Sequence, residues 1–153
     1  MQTKDKTLHI SVRDQRLTLK SGDKSIRDYP VSTSRFGVGS EAGSMKTPCG
    51  RFRVAEKIGA DAASGTIFKD RKPIEPADES AMSGDLVMSR ILWLDGLEEK
   101  NANTRDRYIY IHGTDHEAKI GEPTSHGCIR MKNADLIELF DLVDVDTPVV
   151  IEA

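Results

Sequence analysis

Period-two alternation runs through most of this chain and commits it to sheet. Leu8, Ile10 and Val12 alternate with polar neighbours, Arg13-Asp14-Gln15 supplies turn chemistry, and Leu17 and Leu19 alternate again. Residues 7–20 therefore read as a β-hairpin whose apolar side chains share one face. Tyr29 to Ser34 is a further short strand, Gly50 to Val54 resumes the alternation, and Leu86 to Leu94 is apolar enough for a buried strand closed by an Asp95-Gly96 turn. Arg107 to Ile111 sets Tyr108 and Tyr110 against Ile109 and Ile111, and Val149-Val150-Ile151 makes a final strand after Pro148. Two stretches break the pattern. Phe36 to Pro48 carries Gly37, Gly39 and Gly43 among small polar residues, which predicts an extended surface loop. Residues 59–85 are rich in Gly, Ala, Asp and Pro and predict a long covering loop, a candidate lid. One segment has helical spacing: after Asn133 as N-cap, Leu136, Ile137, Leu139, Phe140, Leu142 and Val143 form an apolar face. The expected architecture is mainly β, with one late amphipathic helix on the sheet.

Size and charge narrow the function. At 153 residues and 37% hydrophobic, one domain over 1–153 with one core is expected, and a monomer. Lys and Arg number 22 against 25 Asp and Glu, with signs interspersed and no basic stripe, so nucleic acid and anionic lipid are not expected partners. No apolar run approaches the roughly 20 residues that span a bilayer, so no membrane association is expected. Met1 to Thr7 leads straight into Leu8-His9-Ile10 without the apolar segment of an export leader. This gives a cytoplasmic expectation with Cys49 and Cys128 as reduced thiols; removal of a leader would place the protein in the periplasm or cell envelope, where the two could form a disulfide.

Ionisable groups crowd the stretch from His112 to Arg130. A strand ending at Ile111 delivers His112, Gly113-Thr114 turns the chain, and Ser125-His126-Gly127-Cys128-Ile129-Arg130 comes immediately before the helix. An ordinary thiol titrates near about 8.5 and is mostly protonated at neutral pH; a neighbouring imidazole raises the thiolate fraction by taking the proton. Two histidines are candidates for Cys128. His126, two positions before it, shares a face if the segment is extended; His112 requires the loop to bring its strand alongside. Spacing leaves the choice open. A zinc site is the competing reading, since His112 and His116 stand four apart and His126 and Cys128 add nitrogen and sulfur. Gly113 and Thr114 after a strand are poor helix material, however, so the pair is not expected to align, and no metal or other cofactor is expected.

His112-Gly113-Thr114 followed by Ser125-His126-Gly127-Cys128-Ile129-Arg130 resembles the signature of the L,D-transpeptidase (YkuD-like) catalytic domain. The opening hairpin with Gln15, and Thr47-Pro48-Cys49-Gly50-Arg51-Phe52 with its Thr-Pro-x-Gly-x-Phe pattern, agree, so the similarity spans nearly the whole chain. The resemblance implies a β-sandwich with the helix after the Cys loop. It implies Cys128 as nucleophile, His112 as its base, and the Gly113 carbonyl as the group that orients the imidazole. Backbone N–H groups near Gly127 and Cys128 would form the oxyanion hole, Ser125 and His126 would shape the site, and Arg130 would meet a substrate carboxylate through its planar fork.

The implied reaction is acyl transfer on peptidoglycan tetrapeptide stems through a thioester, releasing the terminal D-residue. Water as acceptor makes an L,D-carboxypeptidase, favoured here by the lack of an export leader and suited to peptidoglycan recycling. A stem amine instead makes a 3,3 cross-link in the wall. Family thiols are acylated by carbapenems, which a non-catalytic peptidoglycan-binding module would not show. A sortase-like transpeptidase also uses Cys, His and Arg, but the Ser-His-Gly-Cys arrangement does not support it. Cys49 reads as a spare buried thiol.

Overall fold

The computed structural model describes residues 5–74 and 86–153, in which the chain forms ten strands and one α-helix. The opening hairpin is β1 (Lys6–Ser11) and β2 (Arg16–Ser21). Its register pairs Leu8 with Leu19 and Ile10 with Leu17, so the alternation puts four aliphatic side chains on the core face. At the turn, Gln15 takes a left-handed backbone (φ 51°) and turns its amide inward, where Nε2 donates to Val12 O and Thr33 Oγ1, both at 2.7 Å.

The remaining strands are β3 (Lys24–Ser32), β4 (Gly50–Ile58), β5 (Ile67–Lys69), β6 (Lys72–Ile74), β7 (Val87–Gly96), β8 (Tyr110–Gly113), β9 (Ile129–Met131) and β10 (Pro148–Glu152); the helix is α1 (Asn133–Leu142). They hydrogen-bond in the order β4-β10-β1-β2-β3-β9-β8-β7-β5-β6, and β4 also pairs with β7. That added pairing closes eight strands on themselves, with β5 and β6 attached as a hairpin to β7. Closure removes the open edges that an isolated sheet would expose. Phe52, Val54, Leu92, Leu94, Ile111, Ile129, Val149 and Ile151 fill the interior, and α1 contributes Leu136, Leu139 and Phe140 to the same cluster.

Several elements differ from the sequence expectation. The third strand starts at Lys24 because Lys24 to Asp28, polar and exposed except for Ile26, are held by pairing with β2, reinforced by Arg16 to Asp28 at 2.6 Å. Inside the expected 59–85 loop, β5 and β6 form a tight hairpin; residues 75–85 lie outside the described residues. Asp95 and Gly96 do not turn the chain: they finish β7, paired with Arg53 and Phe52, and Arg53 donates to Asp95 at 3.1 Å. The strand expected from Arg107 begins only at Tyr110, because Tyr108 sits at φ 56°. Gly113, expected in a turn, is the last residue of β8. Residues 129–131, to which the sequence reading assigned no strand, form β9. The N-cap of α1 is Lys132 rather than Asn133, and Val143 lies just beyond its end.

Candidate active site

Two of the closed sheet's joints are parallel, and one of them builds the site. β8 and β9 run side by side with Ile111 opposite Ile129, His112 opposite Arg130 and Gly113 opposite Met131. Because strand side chains alternate, Ile111, Ile129 and Met131 point into the core cluster while His112 turns to the opposite face. That second face carries its own small cluster of Phe68, Ile91 and Tyr110, against which Cys128 packs. Cys128 stands one residue before β9, level with Tyr110, whose N–H donates to Sγ at 3.3 Å; Sγ–H in turn donates to Tyr108 O at 3.3 Å. Parallel register thus carries the His112 and Cys128 side chains to one face of one ladder, a single pleat repeat apart. The 114–128 crossover is the long connection that a parallel pair requires.

His112 is 1% exposed, and its Nδ1 lies 2.5 Å from Gly113 O. A carbonyl oxygen only accepts, so Nδ1 carries the proton in that contact and the ring presents Nε2 as its basic nitrogen. The strand end is held by Asn133, whose Nδ2 donates to Thr114 O at 2.9 Å and to Glu117 Oε2 at 3.1 Å, and whose Oδ1 accepts from Ser89 Oγ at 2.6 Å. Packing there leaves no room for a side chain on residue 113: a Cβ would lie 2.2 Å from Asn133 Oδ1 and 2.6 Å from Met88 O.

The Cys loop is held from both sides. Ser125 is fully buried; its Oγ donates to Cys128 O at 2.6 Å and accepts from Gly127 N at 3.3 Å. Thr47, also fully buried, donates from Oγ1 to Gly127 O at 2.9 Å and accepts the Ser34 N–H at 3.0 Å, coupling the 33–49 loop to the Cys loop. Gly127 has φ 125°, which L side chains rarely adopt, while the atoms nearest a Cβ there would be 3.5 Å away. Its glycine is demanded by backbone conformation rather than by crowding. The same dihedral breaks the extended run from 126 to 128, so the i, i+2 argument for a shared face of His126 and Cys128 does not apply. His126 is exposed, with its ring 6.1 Å from that of Phe36.

Arg130 is 4% exposed and donates from Nη1 to Thr124 Oγ1 at 3.3 Å. Arg107 packs by the loop, donating to Lys46 O at 2.8 Å; burial pulls its guanidinium below the usual arginine range, and the charge it feels at Cys128 pushes the other way. Beside Cys128 opens a groove of about 290 Å³ lined by Phe68, Asp70, Arg71, Val87, Ile91, Tyr108 and Tyr110. Sequence reasoning singled out Cys128, His112, Gly113, Ser125, His126, Gly127 and Arg130 and passed over Asn133 as a side-chain clamp, Thr47 as the loop's anchor and Arg71 in the groove. Cys49 is half-buried, and burial pushes its thiol up. Among the described residues no group of three or more His, Cys, Asp or Glu gathers to hold a metal ion, and no helix is long and apolar enough to cross a membrane.

Comparison with known proteins places this geometry. The YkuD family profile, the L,D-transpeptidase catalytic domain, matches residues 5–151. The YkuD protein of Bacillus subtilis is 27% identical over 142 residues, 93% of this chain and 63% of that relative. The YkuD protein of Bacillus licheniformis is 49% identical over 140 residues, 92% of this chain and 61% of the relative. The chain therefore spans about three fifths of the length of these curated relatives. An L,D-transpeptidase structure from Mycobacterium smegmatis superposes with a TM-score of 0.65 at 16% identity, covering 97% of this chain and 59% of that one, a likeness of fold. With a closed β architecture, the Cys loop beside the His strand and a profile match over almost its full length, the chain belongs to the L,D-transpeptidase catalytic domain family, YkuD.

Proposed function

We propose that this protein is a cysteine-dependent acyl-transfer enzyme acting on peptidoglycan tetrapeptide stems. One observation carries the reading: the β8–β9 register sets an imidazole, its Nδ1 held on Gly113 O, on the face that bears the Cys128 thiol. In this mechanism Nε2 of His112 takes the proton from Sγ. The thiolate attacks the carbonyl that joins the L-centre to the terminal D-residue. Main-chain N–H groups of Gly127 and Cys128 stabilise the oxyanion, at about 2.7–4 kcal/mol per donor in comparable sites; the 3.3 Å contact from Gly127 N to Ser125 Oγ is long enough to yield to a stronger acceptor. The protonated imidazole then gives its proton to the departing amine, leaving a thioester on Cys128. Ser125 and Thr47 hold the loop in this shape, His126 packs its ring near that of Phe36 on the loop's exposed side, and buried Arg130 braces the loop through Thr124.

The acceptor decides the product. Water gives a tripeptide, the L,D-carboxypeptidase outcome of a recycling enzyme; the amine of a second stem gives a 3,3 cross-link. Purified protein incubated with monomeric tetrapeptide is expected to release D-alanine, and the accompanying tripeptide or dimer distinguishes the two acceptors. Intact-mass measurement after exposure to a carbapenem is expected to show an adduct that Cys128→Ala abolishes. No release and no adduct would overturn the catalytic reading in favour of a binding module.

A further inference from the structure

We propose that Arg71, braced by Tyr108, Tyr110 and Trp93, is a specificity residue that binds a free carboxylate of the peptide substrate in the groove beside Cys128. The inference rests on the proposed function for the identity of the substrate, but the subsite itself is read from the groove. Arg71 sits at the tip of the β5–β6 hairpin, where Asp70 and Arg71 take φ 50° and 67°. A two-residue hairpin turn of this kind favours Asn or Asp followed by Gly, and placing arginine second is strained. Tyr108, on the facing wall, has φ 56°. Three of the non-glycine left-handed residues therefore line one groove, and such outliers gather where a site over-determines its geometry.

The strain places a guanidinium accurately. Its central carbon lies 4.9 Å from the Trp93 ring centroid and 5.1 Å from that of Tyr108, and Nη1 donates to Tyr110 Oη at 3.0 Å. The same Tyr110 donates its N–H to Cys128 Sγ at 3.3 Å, so the guanidinium and the sulfur belong to one connected wall. Among the described residues no carboxylate lies within ion-pair distance of Arg71, although Asp70 borders the groove. Aromatic faces hold the fork and leave N–H donors for a planar, two-oxygen anion, the recognition at which arginine excels.

The test compares wild type, Arg71→Gln and Arg71→Lys on three tetrapeptides: the parent, one with its C-terminal carboxylate as carboxamide, and one with the third residue's side-chain carboxylate amidated. Binding of the same peptides to Cys128→Ala protein, with and without Arg71→Gln, is read by calorimetry. Arg71→Gln is expected to raise KM and Kd for the parent at least about tenfold with kcat within about twofold, and Arg71→Lys to fall between. The penalty is expected to vanish on one amidated peptide, which identifies the carboxylate. Equal penalties on all three peptides, no penalty on any, or no binding by Cys128→Ala protein would each overturn the subsite. Arg71-dependent binding without turnover by the wild type would overturn the catalytic reading and leave the subsite standing.

Discussion

Replacing Gly113 with alanine tests whether the His112 strand end is held by close packing. The new Cβ would stand 2.2 Å from Asn133 Oδ1 and 2.6 Å from Met88 O, against about 3.4 Å for ordinary contact. The first neighbour can swing away only by giving up its bond from Ser89 Oγ, and the second is β7 main chain opposite Gly113 in the ladder. Something must retreat by about 1 Å. Overpacking of this kind costs about 1–3 kcal/mol and a lost buried hydrogen bond about 1 more. The total of about 2–4 kcal/mol lowers the melting temperature by roughly 5–15 °C for a chain of this size. Moving His112 by a comparable distance is expected to reduce acylation of Cys128 by about 100-fold. Thermal melts followed by circular dichroism and the rate of carbapenem adduct formation measure the two effects. In an Asn133→Ala background the Oδ1 clash is gone, so the added cost of Gly113→Ala should shrink by about 1 kcal/mol while the Met88 conflict remains. A Gly113→Ala protein that melts with the wild type and acylates at its rate would refute the packing argument.

Two further substitutions probe the loop and the pH response. Thr47→Val removes the hydroxyl that serves Gly127 O and Ser34 N in a fully buried position; a cost of about 2–3 kcal/mol in chemical denaturation is expected, with slower acylation of Cys128. Arg16 beside Asp28 holds that carboxyl below its ordinary value of 3.8. The pair therefore stabilises the fold above that value and stops doing so as pH falls through the lowered folded-state value. Both side chains are about half exposed (44% and 49%), so Asp28→Asn is expected to cost no more than about 1 kcal/mol at pH 7. Its melting difference from wild type should close as pH falls through the lowered folded-state value of Asp28.

The parts of this fold that show in the sequence are those whose partners are local. Leu8, Ile10, Leu17 and Leu19 alternate on either side of a short turn, so β1 and β2 declare both pairing and buried face; the α1 face shows in Leu136, Leu139 and Phe140 for the same reason. The first half of β3 is polar and exposed apart from Ile26 and is held as strand mainly by its neighbour, so periodicity misses it. β9 is three residues long and wholly buried, so its single apolar-Arg130-apolar alternation is too short to read as a strand. Its parallel pairing with β8 has no local signal, yet that pairing carries Cys128 to the His112 face. The reactive residue types are legible in Ser125 to Arg130. The choice between His112 and His126 is not: the dihedral of Gly127, which removes the shared-face argument for His126, leaves no mark in the residue order. Arg71 is hidden for a related reason: a strained hairpin tip and three aromatic rings distant in sequence place it.

The most direct test of the central claim is the rate at which iodoacetamide alkylates Cys128 at neutral pH, by peptide-resolved mass spectrometry, in wild type and His112→Gln. Cys49, whose thiol burial pushes up, serves as the slow internal reference. If the β8 imidazole keeps the sulfur reactive, Cys128 outpaces Cys49 in the wild type and slows by at least about tenfold in His112→Gln, while Cys49 is unchanged. Equal Cys128 rates in the two proteins would contradict the account.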